Sequence, residues 1–183
     1  MEDVRIRKTK QVIRSSLLKL LLKKQFQEIS ILELCKEAKI SRMSFYKNYG
    51  NTRMAMEETI DELIEETIDL ADEFFACING KNIKKQRPMC DLIRKDMRFL
   101  PIIKDEELTR IFIERMTFKI SDETVKAVAK LGELSPSQIR TLFEFQLCGC
   151  IMSVRNSYDL SDEQWRKKKK AIDEFLKKGY SII

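Results

Sequence analysis

The chain has 183 residues and no histidine. That removes the commonest metal ligand and general base, and with it His-dependent catalytic triads and His-containing zinc sites. Only 5 Gly and 3 Pro punctuate the sequence, and no Gly-rich loop is present that could cradle a phosphate. Neither an enzyme nor a cofactor or metal site is expected. No apolar run approaches the ~18 residues that a membrane helix needs. The N-terminus is charged and lacks an apolar segment, so no signal peptide is expected. These absences point to a soluble, cytoplasmic protein without membrane contact. The 5 cysteines (Cys35, Cys77, Cys90, Cys148, Cys150) are odd in number and scattered, which reads as buried thiols.

Leu, Ile, Lys and Glu are plentiful, which favours an all-α fold. Charge is unevenly spread. Residues 1–50 carry 12 Lys/Arg against 5 Asp/Glu, whereas residues 51–183 carry 23 against 24. The whole basic excess therefore sits in the first quarter of the chain. A basic head on a near-neutral remainder suggests an N-terminal module for a polyanion.

Hydrophobic spacing predicts about nine helices. The first spans about Val4 to Lys24, with Phe26 and Ile29 as core anchors after it. Ser30, with Glu33 three residues on, caps a second helix over Ile31 to Ala38. Ser41 caps a third, from Arg42 to about Tyr49. Gly50-Asn51 closes it, and a long fourth helix runs from about Thr52 to Ile78. In the middle, helices are expected over Pro88 to Phe99, from Asp105 to about Lys119, and from Ser121 to near Gly132. Ser135-Pro136-Ser137-Gln138 opens a helix to about Tyr158. Ser161 opens the last, which reaches Lys178 with Gly179 as its C-terminal cap.

Two short helices joined by a tight turn form a helix-turn-helix pattern. The turn and second helix read Lys39-Ile40-Ser41-Arg42-Met43-Ser44-Phe45-Tyr46-Lys47-Asn48-Tyr49-Gly50-Asn51-Thr52. This block, with a helix before it and a long one after it, resembles the TetR (tetracycline repressor-like) family of transcription regulators, whose pattern is roughly G-V-S-x-x-T-L-Y-x-H-F-x-x-K. The departures are Lys39 for the turn glycine, Asn48 for the histidine, and Thr52 for the terminal lysine, with Arg53 one position later. Lys39 is therefore expected to be forced toward positive φ. The resemblance implies a three-helix DNA-binding domain over residues 1–51. It implies a helical ligand-binding and dimerisation domain over residues 52–183, linked by the helix of about 52–78.

DNA binding needs backbone neutralisation and groups that reach base edges. Ser41, Arg42, Met43 and Ser44 lie on the first turn of the third helix, which such motifs point into the major groove. Arg42 can grip guanine O6 and N7, and Met43 can meet a thymine methyl. Tyr46, Lys47, Asn48, Thr52 and Arg53 are candidates for phosphate contact. Ser30 and Leu32 would approach the opposite groove edge, and Arg5, Arg7, Lys8 and Lys10 could add contacts from an N-terminal arm. Phe45 and Tyr49 share a face at i and i+4 and are expected to pack inward.

The resemblance further implies a homodimer on a palindromic operator, acting as a repressor that a small-molecule effector releases. Its dimer interface falls on the last two helices, at Leu142, Phe143, Leu147, Gly149, Cys150, Ile151, Val154, Trp165, Ile172, Phe175 and Leu176. The helix from Ser135 carries a second apolar face of Phe145, Cys148, Gly149 and Met152, and a helix apolar on two faces has two partners. Phe74, Phe75, Met97, Phe99, Phe112, Met116, Phe118 and Met152 could line an effector pocket or form plain core. The run Arg166-Lys167-Lys168-Lys169-Lys170 reads as snorkelling at an interface edge, or as a contact to an acidic partner or DNA. Two other functions fit the same scaffold: an adaptor or co-activator controlled by a protein partner, and a thiol redox sensor at Cys148 and Cys150. Residues two apart on a helix point to opposite sides, so those two thiols are not expected to bond to each other.

Overall fold

In a computed structural model, residues 4–66, 89–130 and 134–180 are described. Among them the regular structure is entirely helical, so the all-α reading holds. Helix α1 (Val4–Leu21) is followed by a 3-10 turn (Phe26–Glu28), α2 (Ile31–Ala38), α3 (Arg42–Tyr46) and α4 (Thr52–Glu65). Then come α5 (Met89–Lys95), α6 (Leu100–Lys104), α7 (Glu106–Lys119), α8 (Asp122–Ala129), α9 (Pro136–Arg155) and α10 (Asp162–Tyr180). The expected continuation of α4 to Ile78, with Phe74, Phe75 and Cys77, lies outside the described residues.

The start signals in the sequence act as expected. Ser30 Oγ accepts the Glu33 amide at 3.2 Å, Ser41 Oγ the Ser44 amide at 3.1 Å, and Asn51 Oδ1 the Met54 amide at 2.8 Å. Each satisfies one of the amides a helix start leaves unpaired. Glu33 makes its ion pair with Lys24 at 2.8 Å. At α9 the capping box is reciprocal: Ser135 Oγ accepts the Gln138 amide, and Gln138 Oε1 accepts the Ser135 amide at 2.8 Å. Ser161 and Gln164 repeat it at the start of α10.

Several ends differ from the sequence reading. Helix α1 stops at Leu21, and α3 holds only five helical residues before a turn. The expected helix from Pro88 to Phe99 breaks after Lys95, and Pro101 begins a new short helix instead of following an old one. A proline costs nothing in a first turn, where its missing N–H has no partner to lose. Gly179 is helical, and α10 continues to Tyr180.

The chain divides into two compact units. Among the described residues, the first takes 4–66 and 98–112, and the second takes 89–97 and 113–180. In the first unit, Ile13 and Leu17 of α1, Leu34 of α2, Phe45 of α3, and Met56 and Ile60 of α4 are closed to solvent. Asp105 fastens residues 98–112 to the helical head: one carboxylate oxygen accepts the Phe26 amide at 2.9 Å, and the other caps α7 through the Leu108 amide. In the second unit, Phe143, Leu147, Ile151 and Val154 of α9 form the core with Ile93 of α5 and Trp165 of α10.

Candidate nucleic-acid interface

The geometry of the head begins at Lys39. It has φ 53° and ψ 41°, the only positive-φ non-glycine among the described residues. This left-handed residue ends α2, and the Ile40 amide then reaches back to the Cys35 carbonyl at 3.0 Å. That is the backbone closure of a glycine-terminated helix, made here at the cost of a side chain in the left-handed region. It turns the chain within three residues, so that α3 starts at the Ser41 cap.

The short α3 presents two faces. Phe45 and Tyr49 are buried, with ring centroids 5.9 Å apart. Met43 is 71% exposed and Tyr46 56%, with Ser41, Arg42 and Lys47 also exposed and Ser44 half-buried. Among the described residues no carboxylate pairs with Arg42 or Lys47. On α2, Ser30 is exposed and Leu32 is 65% exposed. A large apolar side chain thus stands in water near the start of each of two adjacent helices, with an unpaired guanidinium on the second.

Behind this face lies a charged lattice that the sequence did not disclose. Lys10 Nζ reaches Glu58 at 3.1 Å and Arg14 reaches Glu58 at 3.3 Å, while Arg14 also pairs with Glu62. Lys10 also sits 5.6 Å from the centroid of the Tyr49 ring. Lys10, expected in an arm, is thus part of the α1–α4 seam, whereas Arg5, Arg7 and Lys8 are exposed on the first turns of α1. Burial, and then the neighbouring Glu58 carboxylate, push the Tyr49 hydroxyl well above the ordinary tyrosine value. The tyrosine stays neutral and acts as a wedge holding α3 against the seam.

The remaining phosphate candidates are less open. Asn48 is half-buried, and its Nδ2 donates to the Ser44 carbonyl at 2.7 Å, while its Oδ1 is buried without a partner. Its amide therefore faces the protein. Thr52 is half-buried in the first turn of α4. Arg53 is exposed, yet its guanidinium is held at 2.9 Å by Glu57 and at 2.9 Å by Glu107.

In the second unit, six of the positions expected at a dimer interface are consumed by the protomer itself. Phe143, Leu147, Cys150, Ile151, Val154 and Trp165 are buried, so the stripe they form packs inward. Leu142, Ile172 and Leu176 are half-buried, while Gly149 and Phe175 are exposed. The second face of α9 is the open one: Phe145 is 65% exposed, Met152 is exposed, and a side chain added at Gly149 would meet nothing within 4 Å. The basic run is answered within the chain. Lys168 bonds Ser157, Lys169 pairs with Asp173 and Asp91, Lys167 with Glu163, and Lys170 with Glu174.

Of the residues offered for an effector pocket, Phe74 and Phe75 lie outside the described residues. Phe99 and Phe112 make an edge-to-face pair at 5.7 Å in the core of the first unit. Met116 is buried, whereas Met97, Met152 and Phe118 are exposed in the second unit. Phe118 lines a cleft of about 770 Å³ together with Ile113, Thr117, Ile120, Arg140 and Glu144.

Cys148 is half-buried and Cys150 buried, as residues two apart on a helix should differ. Cys150 instead neighbours Cys90, and that neighbour, together with burial, pushes the Cys90 thiol up. Among the described residues no group of acidic or cysteine side chains could hold a metal ion, and no helix is long and apolar enough to cross a membrane.

One residue that the sequence reading did not single out ties α5 to the segment between α9 and α10. Arg94 is nearly buried, and its guanidinium donates to the carbonyls of Ser157 at 2.8 Å, Tyr158 at 3.2 Å and Leu160 at 2.5 Å. It also stacks 5.3 Å from the Trp165 ring, whose Nε1 donates to Asp91 at 2.8 Å. The signal that could have revealed it is an arginine one turn after Cys90, on the apolar stripe of α5.

No family model matches this chain, and no curated protein sequence matches it. Among solved structures it is similar to the crystal structure of AlkX, a TetR family repressor from Dietzia sp. strain DQ12-45-1b implicated in biodegradation of n-alkanes. The identity is 17%, covering 92% of this chain and 95% of that one, with a TM-score of 0.42.

Proposed function

We propose that this protein is a sequence-specific, DNA-binding transcription regulator that works as a homodimer on a palindromic operator and has no enzymatic activity. The observation that carries the reading is the exposed first turn of α3. Arg42 and Met43 stand in solvent there, behind a Ser41 cap, while Phe45 and Tyr49 anchor the opposite face. Ser41, Arg42, Met43 and Ser44 address the bases. Tyr46 and Lys47 address the phosphates, and Ser30 and Leu32 meet the far groove edge. The functional division follows: residues 1–51 bind DNA, residues 52–183 regulate and dimerise, and the helix that begins at Thr52 connects them.

A single helix-turn-helix covers too little DNA to be specific, so two copies are needed to read two half-sites. The open face of α9, with Phe145, Gly149 and Met152, together with Phe175 on α10, supplies an apolar surface for the second copy. Repression relieved by a small-molecule effector completes the proposal, and it rests on the resemblance of the head to the TetR family.

The test is a gel shift with operator DNA obtained by selection from a random pool. Arg42→Ala should lose the preference for that sequence, by about 1–3 kcal/mol, while retaining salt-dependent binding to any duplex. Unchanged preference in the mutant would refute the recognition-turn assignment.

A further inference from the structure

We propose that Glu107 is a positioning residue for DNA binding: it holds Arg53 off the phosphate backbone, and release of that ion pair adds one phosphate contact. This deepens the proposed function and rests on it. Arg53 lies in the first turn of α4, one position after the residue where the resemblance places a phosphate-binding lysine. In this structure its Nη1 is 2.9 Å from Glu107 and its Nε is 2.9 Å from Glu57. Two carboxylates on one guanidinium occupy the donors that a phosphate would need.

The pair is built to exchange. The Arg53 side chain is 51% exposed, and an exposed ion pair holds its partners weakly. Glu107 does not depend on Arg53 alone. It sits in the first turn of α7, where the helix dipole favours a carboxylate, and it also accepts from Gln27 Nε2 at 3.3 Å. Losing Arg53 therefore leaves Glu107 compensated. Arg53 in turn can keep its i,i+4 partner Glu57 while its terminal nitrogens turn to a phosphate. Arginine suits that step, because its fork meets phosphate oxygens in two parallel bonds. Glu107 is thus a brake acting through Arg53. Movement of α7 by any cause would alter DNA affinity at this point.

The experiment measures binding of the full chain to a mixed-sequence duplex, by fluorescence anisotropy at several salt concentrations, for wild type, Glu107→Gln, Arg53→Ala and the double variant. Glu107→Ser serves as a second way of removing the carboxylate, with circular dichroism to confirm folding. Glu107→Gln and Glu107→Ser should bind more tightly at low salt by roughly two- to fivefold. The slope of log affinity against log salt should steepen by about 0.9, the value of one further phosphate. In the Arg53→Ala background the gain should vanish, and Glu107→Asp should restore most of the wild-type behaviour. If wild type binds but the Glu107 variants do not bind more tightly, the inference is overturned while DNA binding stands. A gain that persists without Arg53 overturns it equally. Absence of salt-dependent duplex binding in wild type would defeat the DNA-binding reading itself, and this inference with it.

Discussion

Lys39 shows what a single residue can cost and still be kept. Its φ of 53° satisfies the turn that sets α3 against α2, and a side chain in that region is disfavoured by roughly 1–2 kcal/mol. Glycine would relieve the strain, but would itself lose more backbone entropy on folding. Lys39→Gly should therefore stabilise the protein by a net of about 0.5–1 kcal/mol, read as a higher urea midpoint, with the α2–α3 geometry unchanged. The lysine at this turn was visible in the sequence, and so was the direction of its φ, because a left-handed residue is what ends a helix so tightly. The fate of Asn48 and Arg53 was not visible. Whether a polar side chain faces DNA or its own protein depends on which carbonyl or carboxylate lies nearby, and Glu107 is far away in sequence.

At the scale of the element, caps and stripes were legible and lengths were less so. Ser30, Ser41, Asn51 and Ser135 each start a helix because a side-chain oxygen meets an amide two or three residues ahead, a purely local event. Helix ends depend on neighbours. Helix α9 gives way at Asn156, and the segment after it is held by Arg94 from α5. Arg94→Ala should cost roughly 3 kcal/mol, since charged hydrogen bonds to three carbonyls are lost together. Arg94→Lys should recover little of it, because a compact ammonium cannot span the three acceptors as the planar guanidinium does. Equilibrium urea unfolding followed by Trp165 fluorescence would measure both variants.

For the whole molecule, the second copy is the missing part of the proposed function. The open face of α9 has a bare Gly149 between Phe145 and Met152, which allows another helix to approach closely. Phe145→Glu places a charge in that face without touching the protomer core. It should give a folded monomer in sedimentation velocity, with weakened operator binding because half-sites are then read singly. A Phe145→Glu protein that remains dimeric would move the interface elsewhere. The sequence had indicated two apolar faces on this helix but not which one the protomer uses, since both have helical spacing.

The sequence by itself determined the helical class, the capped helix starts at Ser30, Ser41, Asn51 and Ser135, the left-handed turn at Lys39 and the inward rings of Phe45 and Tyr49. All of these follow from interactions within a few residues or from one period of hydrophobicity. Tertiary structure alone decided which stripe of α9 is core, that Lys169 of α10 meets Asp91 of α5, and that Lys10 and Arg14 serve Glu58 and Glu62 across the α1–α4 seam. Those outcomes depend on which distant residue stands opposite. A charge or an apolar side chain has no fixed role until its partner, tens of residues away, is brought within a few ångströms.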